Sequence, residues 1–229
     1  MDNETNHDYW QSYSDLMAAV LLVFVLLISI MMYKYNGMAA ELKQQKSKVD
    51  ELIGIRSMII KELLEEFDAT ELSLNIDSQS GAIRFSDGVF FDTAESVLKP
   101  EGKKYLNEFL PRYLNVLLDP KYKKFVSQII IEGHTDNRGS YMYNLELSQK
   151  RAFAVVSYIL LENIPGINPD MKQDLQVFLT ANGRSYSQPM YNGSTIDLDK
   201  SRRVEFKFRL KDEEMITEMQ NILEGQREK

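Results

Sequence analysis

The sequence predicts an α+β protein with three parts: a single N-terminal transmembrane helix, a helical stalk, and a two-layer domain with helices on one face of a mixed sheet. An uncharged apolar run, a proline-free segment with heptad-like spacing, and short strand patterns that alternate with helical ones from Thr70 onward support this fold class. The 229 residues leave room for about one soluble domain after the anchor and stalk. We expect a cytoplasmic tail at 1–12, the transmembrane helix at 13–35, the stalk at 36–68, the domain at 69–211 and a helical tail at 212–229.

The transmembrane helix is predicted from the run LMAAVLLVFVLLISIMM, which starts at Leu16 and contains no charged residue. With the residues from Trp10 onward it reaches the roughly 20 positions that cross a bilayer. Trp10 and Tyr13 before the run, and Tyr33 and Tyr35 after it, match the two aromatic belts of a membrane helix. The segment does not resemble a signal peptide, because acidic residues precede it and no small-residue cleavage site follows. We therefore expect a retained anchor.

Asp15 is an acid at the head of this apolar run. An ionised Asp near the bilayer centre costs about 2.5 to 3.5 kcal/mol, and such residues commonly serve ion movement. Alternatively, the helix begins at Ser14 or Asp15 and the acid caps its first amides. The residues alone leave both interpretations open. Lys34 and Lys43 follow the helix and no basic residue precedes it, which weakly places the C-terminal side in the cytoplasm.

Composition excludes several functions. The net charge of −7 and the lack of a basic stripe argue against nucleic acid as a partner. Cysteine is absent, so the chain has no disulfide, thiol nucleophile or cysteine metal site. With only His7 and His134, a histidine metal cluster cannot form. No nucleophile and base pair or phosphate loop is evident, and Gly183-Arg184-Ser185 lacks the G-x-S-x-G pattern, so we expect neither an enzyme nor a bound cofactor.

The stalk repeats apolar residues at heptad-like intervals, at Leu42, Val49, Leu52, Ile59 and Leu63. Gln45 and Arg56 occupy seam positions and Gly54 interrupts the pattern. A short dimeric coil and a helix that packs on a membrane or partner are both compatible with this spacing.

The domain is predicted to open with a hairpin, strand 72–76, turn 78–81 and strand 82–85. Pro100 then begins a helix that Pro111 is expected to bend or break. The later elements are a strand at 126–131, an amphipathic helix at 144–161, and strands at 175–180 and 204–210.

A set of spaced motifs lies in this domain. The run IEGHTDNRGS at 131–140 precedes Tyr-Asn at 143–144, Leu-Ser at 147–148 and Arg-Ala at 151–152, and Ser-Arg-Arg-Val-Glu-Phe follows at 201–206. Together with Val-Phe-Phe-Asp-Thr-Ala at 89–94, they resemble the OmpA-like peptidoglycan-binding domain, whose pattern is G-H-T-D-x-x-G, Y-N-x-x-L-S-x-x-R-A and N-R-R-V-E. The resemblance covers about 85–210. Ala94 and Ser201 depart from it, at positions where family members carry asparagine.

The resemblance implies that Asp136 and Arg151 bind the zwitterionic end of diaminopimelate in a wall stem peptide. A carboxylate can hold an ammonium group while a guanidinium forks onto a carboxylate. The other implied site residues are Thr135, Asn144, Leu147 and Arg202, together with Asp92 and Thr93, where the backbone is expected to support the site. Without the resemblance, a loop-to-helix salt bridge between Asp136 and Arg151 is the favoured interpretation. We further expect Arg202 and Arg203 to alternate between the site and solvent, and His134 to be a hydrogen-bonded loop residue.

The order of parts adds a second resemblance. The segment WQSYSDLM at 10–17, followed by a stalk and a wall-binding domain, resembles the B subunits of ion-driven rotary motors of the flagellar stator class. It is equally similar to the B component of Zorya-type antiphage motors. Both imply a homodimer inside a pentamer of multi-pass A subunits, with Asp15 carrying H⁺ or Na⁺ across the inner membrane. The N-terminus would then be cytoplasmic and the domain periplasmic, which overrides the lysine distribution.

The second class of function is a passive anchor, a membrane-tethered peptidoglycan-binding protein that carries no ions. In that case Asp15 would be an interfacial helix cap. The residues do not distinguish flagellar rotation from antiphage defence as the motor's output.

Overall fold

The computed structural model describes residues 5–68 and 74–211, which form parts of two compact units, Met1–Glu51 and Leu52–Lys229. Helix α1, Thr5–Asp68, runs through the first unit and into the second. The predicted tail at 212–229 and the start of the predicted first strand, Leu72 and Ser73, lie outside the described residues. The domain boundaries predicted from the sequence therefore stay predictions.

In the first unit, α1 is the one helix among the described residues that is long and apolar enough to cross a membrane. Large apolar side chains from Leu16 to Met32 are exposed around it, as expected of a helix whose solvent is lipid. Asp15 lies ten positions after the first residue of the helix, Thr5. The interpretation of Asp15 as a helix cap is therefore wrong, because a capping residue stands at the helix end, where amides lack intrahelical partners.

The second unit contains the end of α1 and thirteen further described elements. The strands are β1 Asn75–Ile76, β2 Ile83–Ser86, β3 Val126–His134, β4 Leu179–Gly183, β5 Tyr191–Asn192, β6 Thr195–Ile196 and β7 Arg203–Leu210. The helices are α2 Asp87–Phe90, α3 Pro100–Leu117, α4 Pro120–Lys123, α5 Tyr141–Leu161, α6 Pro169–Phe178 and α7 Leu198–Ser201.

Five strands form one sheet in the order β1-β2-β7-β3-β4, and β5 and β6 form a separate hairpin. Strand β3 is parallel to β4 and antiparallel to β7, while β1-β2 and β2-β7 are antiparallel. The predicted mixed sheet and the α+β class are thus confirmed.

The core lies on one face of this sheet. Phe85 of β2 and Phe206 of β7 pack against Phe109 of α3, with ring centroids 4.9 Å from Phe109 in both cases. Ile59 and Leu63, two of the heptad residues of α1, are also fully buried in this core. The compact unit consequently starts before residue 69, because the last turns of α1 bury their apolar side chains in it.

Two local predictions were wrong. Helix α3 continues through Pro111, so the predicted break is wrong and the alternative, a bend, stays a prediction. The proline removes one hydrogen bond to Asn107, but buried Phe109, Leu110 and Tyr113 hold the helix in the core. Residues 175–178 belong to α6 and the strand starts at Leu179.

Helix α6 has a clear start signal, which explains the second error. Pro169 occupies its first turn, and the Asn168 Oδ1 accepts a hydrogen bond of 2.7 Å from the Met171 amide. The short apolar run that begins at Leu175 fits either a helix or a strand by its spacing.

A pair of glycines lets α5 lie close to the sheet. Gly133 of β3 and Gly183 of β4 are paired in the parallel register. A Cβ atom on Gly133 would lie 2.2 Å from the Ser148 carbonyl oxygen, and one on Gly183 would lie 2.6 Å from the Gln149 amide nitrogen. The backbone of α5 therefore occupies the space that side chains would take, which places Asn144, Leu147 and Arg151 beside the end of β3.

Substitution of Gly133 by alanine tests this approach. We expect Gly133→Ala to lower the melting temperature of the detergent-solubilised chain by about 3 to 10 °C, because a Cβ would collide with the α5 backbone. Circular dichroism melting curves measure this. Gly54→Ala is the control, since its Cβ meets nothing within 4 Å and alanine is favoured inside helices. Equal melting temperatures for Gly133→Ala and the wild type would contradict the tight contact.

Candidate functional site

A cavity of about 580 Å³ lies where the carboxyl end of β3, the first turns of α5 and the segment before β7 meet. It is lined by Ser86, Asp87, Gly88, Phe91, Thr93, Ala94, Thr135, Asp136, Arg138, Tyr143, Asn144, Leu147, Arg151, Asp199 and Arg202. The structure thus brings together the predicted site residues with the exception of Asp92. The Asp92 side chain is 65% exposed and lies 3.6 Å from the Lys99 ammonium.

Arg151 is buried in the wall of the cavity and held by three groups. Its Nε donates to the Glu95 carbonyl at 2.7 Å, and its Nη2 donates to the Asp92 carbonyl at 3.2 Å. Its Nη1 forms an ion pair of 2.8 Å with Asp87 Oδ2. A guanidinium group has five N–H donors, so these contacts leave two of them unused. Asp92 therefore contributes through its main chain.

Asp87 is a site residue that sequence reasoning missed. It follows β2 directly and is buried, and its Oδ1 has no hydrogen-bond partner among the described residues. Burial raises the pKa of Asp87 to about 6, although the Arg151 guanidinium beside it acts in the opposite direction. The sequence offered one weak signal for Asp87, which is its position just after the end of the strand predicted at 82–85.

Asp136 is paired with two other arginines and not with Arg151. Its Oδ2 accepts from Arg138 Nη2 and from Arg202 Nη1, each at 2.6 Å. Burial alone would raise the pKa of Asp136, but the hydrogen bonds from Arg138 and Arg202 outweigh it and bring the value to about 2. The interpretation of Asp136 and Arg151 as one loop-to-helix salt bridge is wrong, because each pairs with a different residue.

Arg138 lies in the motif at 131–140, but the sequence analysis did not predict it as a site residue. Its position is fixed through its main chain, because its carbonyl accepts a hydrogen bond of 2.7 Å from Asn144 Nδ2. Asn144 also donates to the Ser140 carbonyl at 3.2 Å. The predicted support by Asn144 is thus directed at the loop that follows Asp136.

Two further wall residues bear on the predictions. Thr135 is buried and its Oγ1 has no hydrogen-bond partner among the described atoms. Ala94 has φ of +61°, a left-handed conformation that asparagine tolerates better than alanine. This explains why asparagine suits the position in family members. Ser201 replaces the other asparagine, and its hydroxyl accepts from the Met190 amide at 3.0 Å and donates to the Asp197 carbonyl at 2.6 Å.

Arg202 lies at the cavity as predicted, whereas the expectation that Arg203 faces solvent is wrong. Arg203 is buried on the face of the sheet opposite the core, and its Nε donates to Glu205 Oε1 at 2.6 Å. Its Nη1 reaches the Gln188 carbonyl at 3.1 Å. The loop that carries Gln188 covers this part of the sheet. The side chains of β7 that point away from the core are therefore not all exposed to solvent.

His134 ends β3 and belongs to a buried charged cluster on the same face. Its Nε2 lies 3.5 Å from Glu132 Oε2 and 3.8 Å from Glu205 Oε2, and burial lowers the pKa of His134. Neither ring nitrogen has a hydrogen-bond partner among the described residues, unlike the predicted loop histidine. These three residues have donor types that metals use. However, the Lys207 ammonium lies 2.6 Å from both glutamates and already supplies the positive charge between them.

Among the described residues that line the cavity, three arginines and three aspartates carry balanced charge, Arg138, Arg151 and Arg202 with Asp87, Asp136 and Asp199. Asp87 and Thr135, which also line the cavity, each have a buried side-chain oxygen without a hydrogen-bond partner among the described residues. Buried polar atoms without partners are rare in folded proteins. This arrangement suits a polar ligand that carries both signs of charge.

Comparisons with known proteins identify relatives of this chain. The sequence model of the OmpA family matches residues 90–203. The Zorya protein ZorB of Escherichia coli strain Crooks is 33% identical over 221 residues, which cover 89% of this chain and 88% of that protein. The chain belongs to the ZorB family. A second Zorya protein ZorB, from Escherichia coli O139:H28, is 28% identical over 220 residues. The match covers 92% of the present chain and 85% of that protein.

Among solved structures, the crystal structure of a MotB-like protein from Desulfovibrio vulgaris matches with a TM-score of 0.49 and 22% identity. The match covers 70% of this ZorB-family chain and 94% of that chain. With one long apolar helix among its described residues, near the N-terminus, and an OmpA domain, this ZorB-family chain is a single-pass inner-membrane protein. It is not an enzyme, since the ZorB and OmpA families are not enzyme families.

Titration of the cavity acids tests these electrostatics. We expect carbon-13 NMR of the side-chain carboxyls to show Asp87 titrating near pH 6. Because the folded chain then holds a proton that the unfolded chain loses near pH 3.8, this group favours folding increasingly as the pH falls from about 6 to 3.8. Asp136 is the internal control and should stay ionised down to about pH 2. A midpoint for Asp87 near 3.8 would contradict its described burial beside Arg151.

Proposed function

We propose that this chain is the peptidoglycan-anchored B subunit of an ion-driven rotary membrane motor. Two copies would lie inside a pentamer of multi-pass A subunits, with the N-terminus in the cytoplasm and the OmpA domain in the periplasm. The observation that carries the proposal is the combination in one chain of an acid inside a membrane helix and a charge-balanced cavity in an OmpA domain. Similarity to ZorB over most of the chain favours antiphage defence over flagellar rotation as the output.

The proposed ligand of the cavity is the zwitterionic end of diaminopimelate in a peptidoglycan stem peptide. Its carboxylate would receive the two free N–H groups of Arg151 and contact Arg202, whose side chain is 30% exposed. Its ammonium group would lie at Asp136, which stays ionised at every physiological pH. Thr135 Oγ1 and Asp87 Oδ1 offer additional polar contacts. Both charges of the ligand are thus met by groups that the fold has already positioned.

Asp15 is the proposed ion carrier. It lies inside α1 and next to the apolar run, where its carboxylate makes no cap. A protonated Asp is neutral and can face apolar neighbours, whereas an ionised Asp needs a hydroxyl or water, so its state depends on the partner surface that it meets. Each proton that crosses 100 mV supplies about 2.3 kcal/mol. Attachment to the wall keeps the B helices from turning, so the A ring rotates around them.

A wall-binding experiment tests the cavity. We expect Asp136→Asn to reduce retention of the chain on insoluble peptidoglycan by at least about tenfold, because the ligand's ammonium loses a charged partner. The matched control is Asp174→Asn, which removes a carboxylate that pairs with Lys123 at 2.6 Å outside the cavity. Circular dichroism should show both variants folded. Equal retention of the two variants would assign Asp136 a structural role only.

A second experiment tests ion transport and separates the motor from the passive anchor. We expect Asp15→Asn, expressed with its A partner, to abolish ion flux in proteoliposomes while the complex still assembles, since the amide cannot exchange a proton. Glu41→Gln, a neutralising change later in α1, serves as the control and should keep full flux. Unchanged flux in Asp15→Asn would show that Asp15 is not the ion carrier, whereas a wild-type complex without ion flux would leave the passive anchor as the function.

A further inference from the structure

The carboxylate of Asp136 is crowded with donors before any ligand arrives. Its Oδ2 receives Arg138 Nε at 2.9 Å, Arg138 Nη2 at 2.6 Å and Arg202 Nη1 at 2.6 Å. Its Oδ1 receives the Arg138 amide at 3.0 Å. A carboxylate oxygen has two lone pairs, so Oδ2 has no direction left for a further donor. Oδ1 keeps one lone pair, but a ligand ammonium that is to pair with Oδ2 must displace a guanidinium group.

Arg202 and Arg138 differ in how firmly they are held. Arg202 is 30% exposed, and its second nitrogen, Nη2, is bonded to Asp199 Oδ1. The Arg138 side chain is 66% exposed. Its main chain is fixed by the hydrogen bond from Asn144 to its carbonyl and by the hydrogen bond from its own amide to Asp136, so its side chain can turn outward without moving the loop. Because the Arg138 side chain is more than twice as exposed as that of Arg202, Arg138 is the group that a ligand can displace more readily.

The balance of charge in the cavity also favours displacement of Arg138 by a cationic ligand. With Arg138 in place, the three arginines balance the three aspartates that line the wall. When the Arg138 guanidinium turns away, the remaining lining has an excess negative charge, which favours a cation at Asp136. Arg138 thus occupies the position that an ammonium group would take and neutralises it while the site is empty.

We propose that Arg138 is an internal competitor for the ammonium position at Asp136, and that it sets the affinity of the cavity for amine-bearing ligands. This inference rests on the proposed wall-binding function and adds a specificity-determining residue to it. For a ligand that has only an ammonium group, the free energy needed to displace Arg138 weakens binding. A zwitterion recovers that cost through its carboxylate, which the remaining arginines bind.

Removal of Arg138 should therefore strengthen binding, an outcome that damage to the fold would not produce. We expect isothermal titration of the detergent-solubilised chain with meso-diaminopimelate to give Arg138→Ala a two- to fivefold lower Kd than the wild type, about the range of an exposed ion pair. Arg138→Lys keeps the charge and should fall between the two. Arg112→Ala removes an exposed arginine that pairs with Glu66 at 2.9 Å, outside the cavity, and should match the wild type.

The possible outcomes are distinguishable. If the wild type binds meso-diaminopimelate and Arg138→Ala binds it equally or more weakly, Arg138 is not a competitor and the inference is overturned, while wall binding stands. If the wild type fails to bind meso-diaminopimelate and Asp136→Asn stays on peptidoglycan, the proposed function fails and the inference fails with it. Tighter binding by Arg138→Ala alone among the alanine variants supports the inference.

Discussion

The close contact between α5 and the sheet at Gly133 and Gly183 is the constraint on which the site depends. The missing Cβ atoms let the helix backbone take up the space above β3 and β4. The same contact is reinforced just beyond the glycines, where the Ser185 amide donates to Ser148 Oγ and the Thr135 amide donates to the Ser185 carbonyl, both at 3.0 Å. The loop that carries Asp136 and the helix that carries Arg151 are therefore held in one arrangement by main-chain geometry.

The electrostatics of the cavity follow from this packing. Because Arg151 is buried, it needs the Asp87 carboxylate and two carbonyl oxygens as partners. Asp87 is charged at neutral pH although burial has raised its pKa to about 6. Asp136 stays ionised because Arg138 and Arg202 surround it. The free-energy cost of burying these charges is thus met during folding, before a ligand binds. A zwitterion can then enter without changing the net charge of the site.

Much of this arrangement could be predicted from the sequence, because several motif residues keep fixed spacings. Asp136, Asn144, Leu147 and Arg151 all reach the cavity, and the alternation along 204–210 predicted β7. Asp87 could not be found in this way, since nothing in its local sequence indicates that an arginine more than 60 positions later will bury against it. Arg203 was predicted to face solvent, and this was wrong. Alternation along a strand shows which residues share a face of the sheet, but it does not show which other segment covers that face.

The membrane part shows a similar limit. The apolar run predicted the helix, but an acid at the head of such a run is compatible with both a cap and an ion carrier. The start of α1 at Thr5 excludes the cap, which the residues around Asp15 alone could not do, while the role of Asp15 as ion carrier stays a proposal. In the proposed motor this role connects with the cavity, because a ring of A subunits would turn only against B subunits that are fixed to the wall.

The most direct test of a cavity built for a zwitterion is a comparison of three stem peptides that end in diaminopimelate. One has both end groups free, one has its terminal carboxylate amidated and one has its terminal amine acetylated. Isothermal titration should show the free form binding at least about tenfold more tightly than either blocked form, because each block removes one charge-assisted contact. Equal affinities for the three peptides would contradict recognition of both charges by this site.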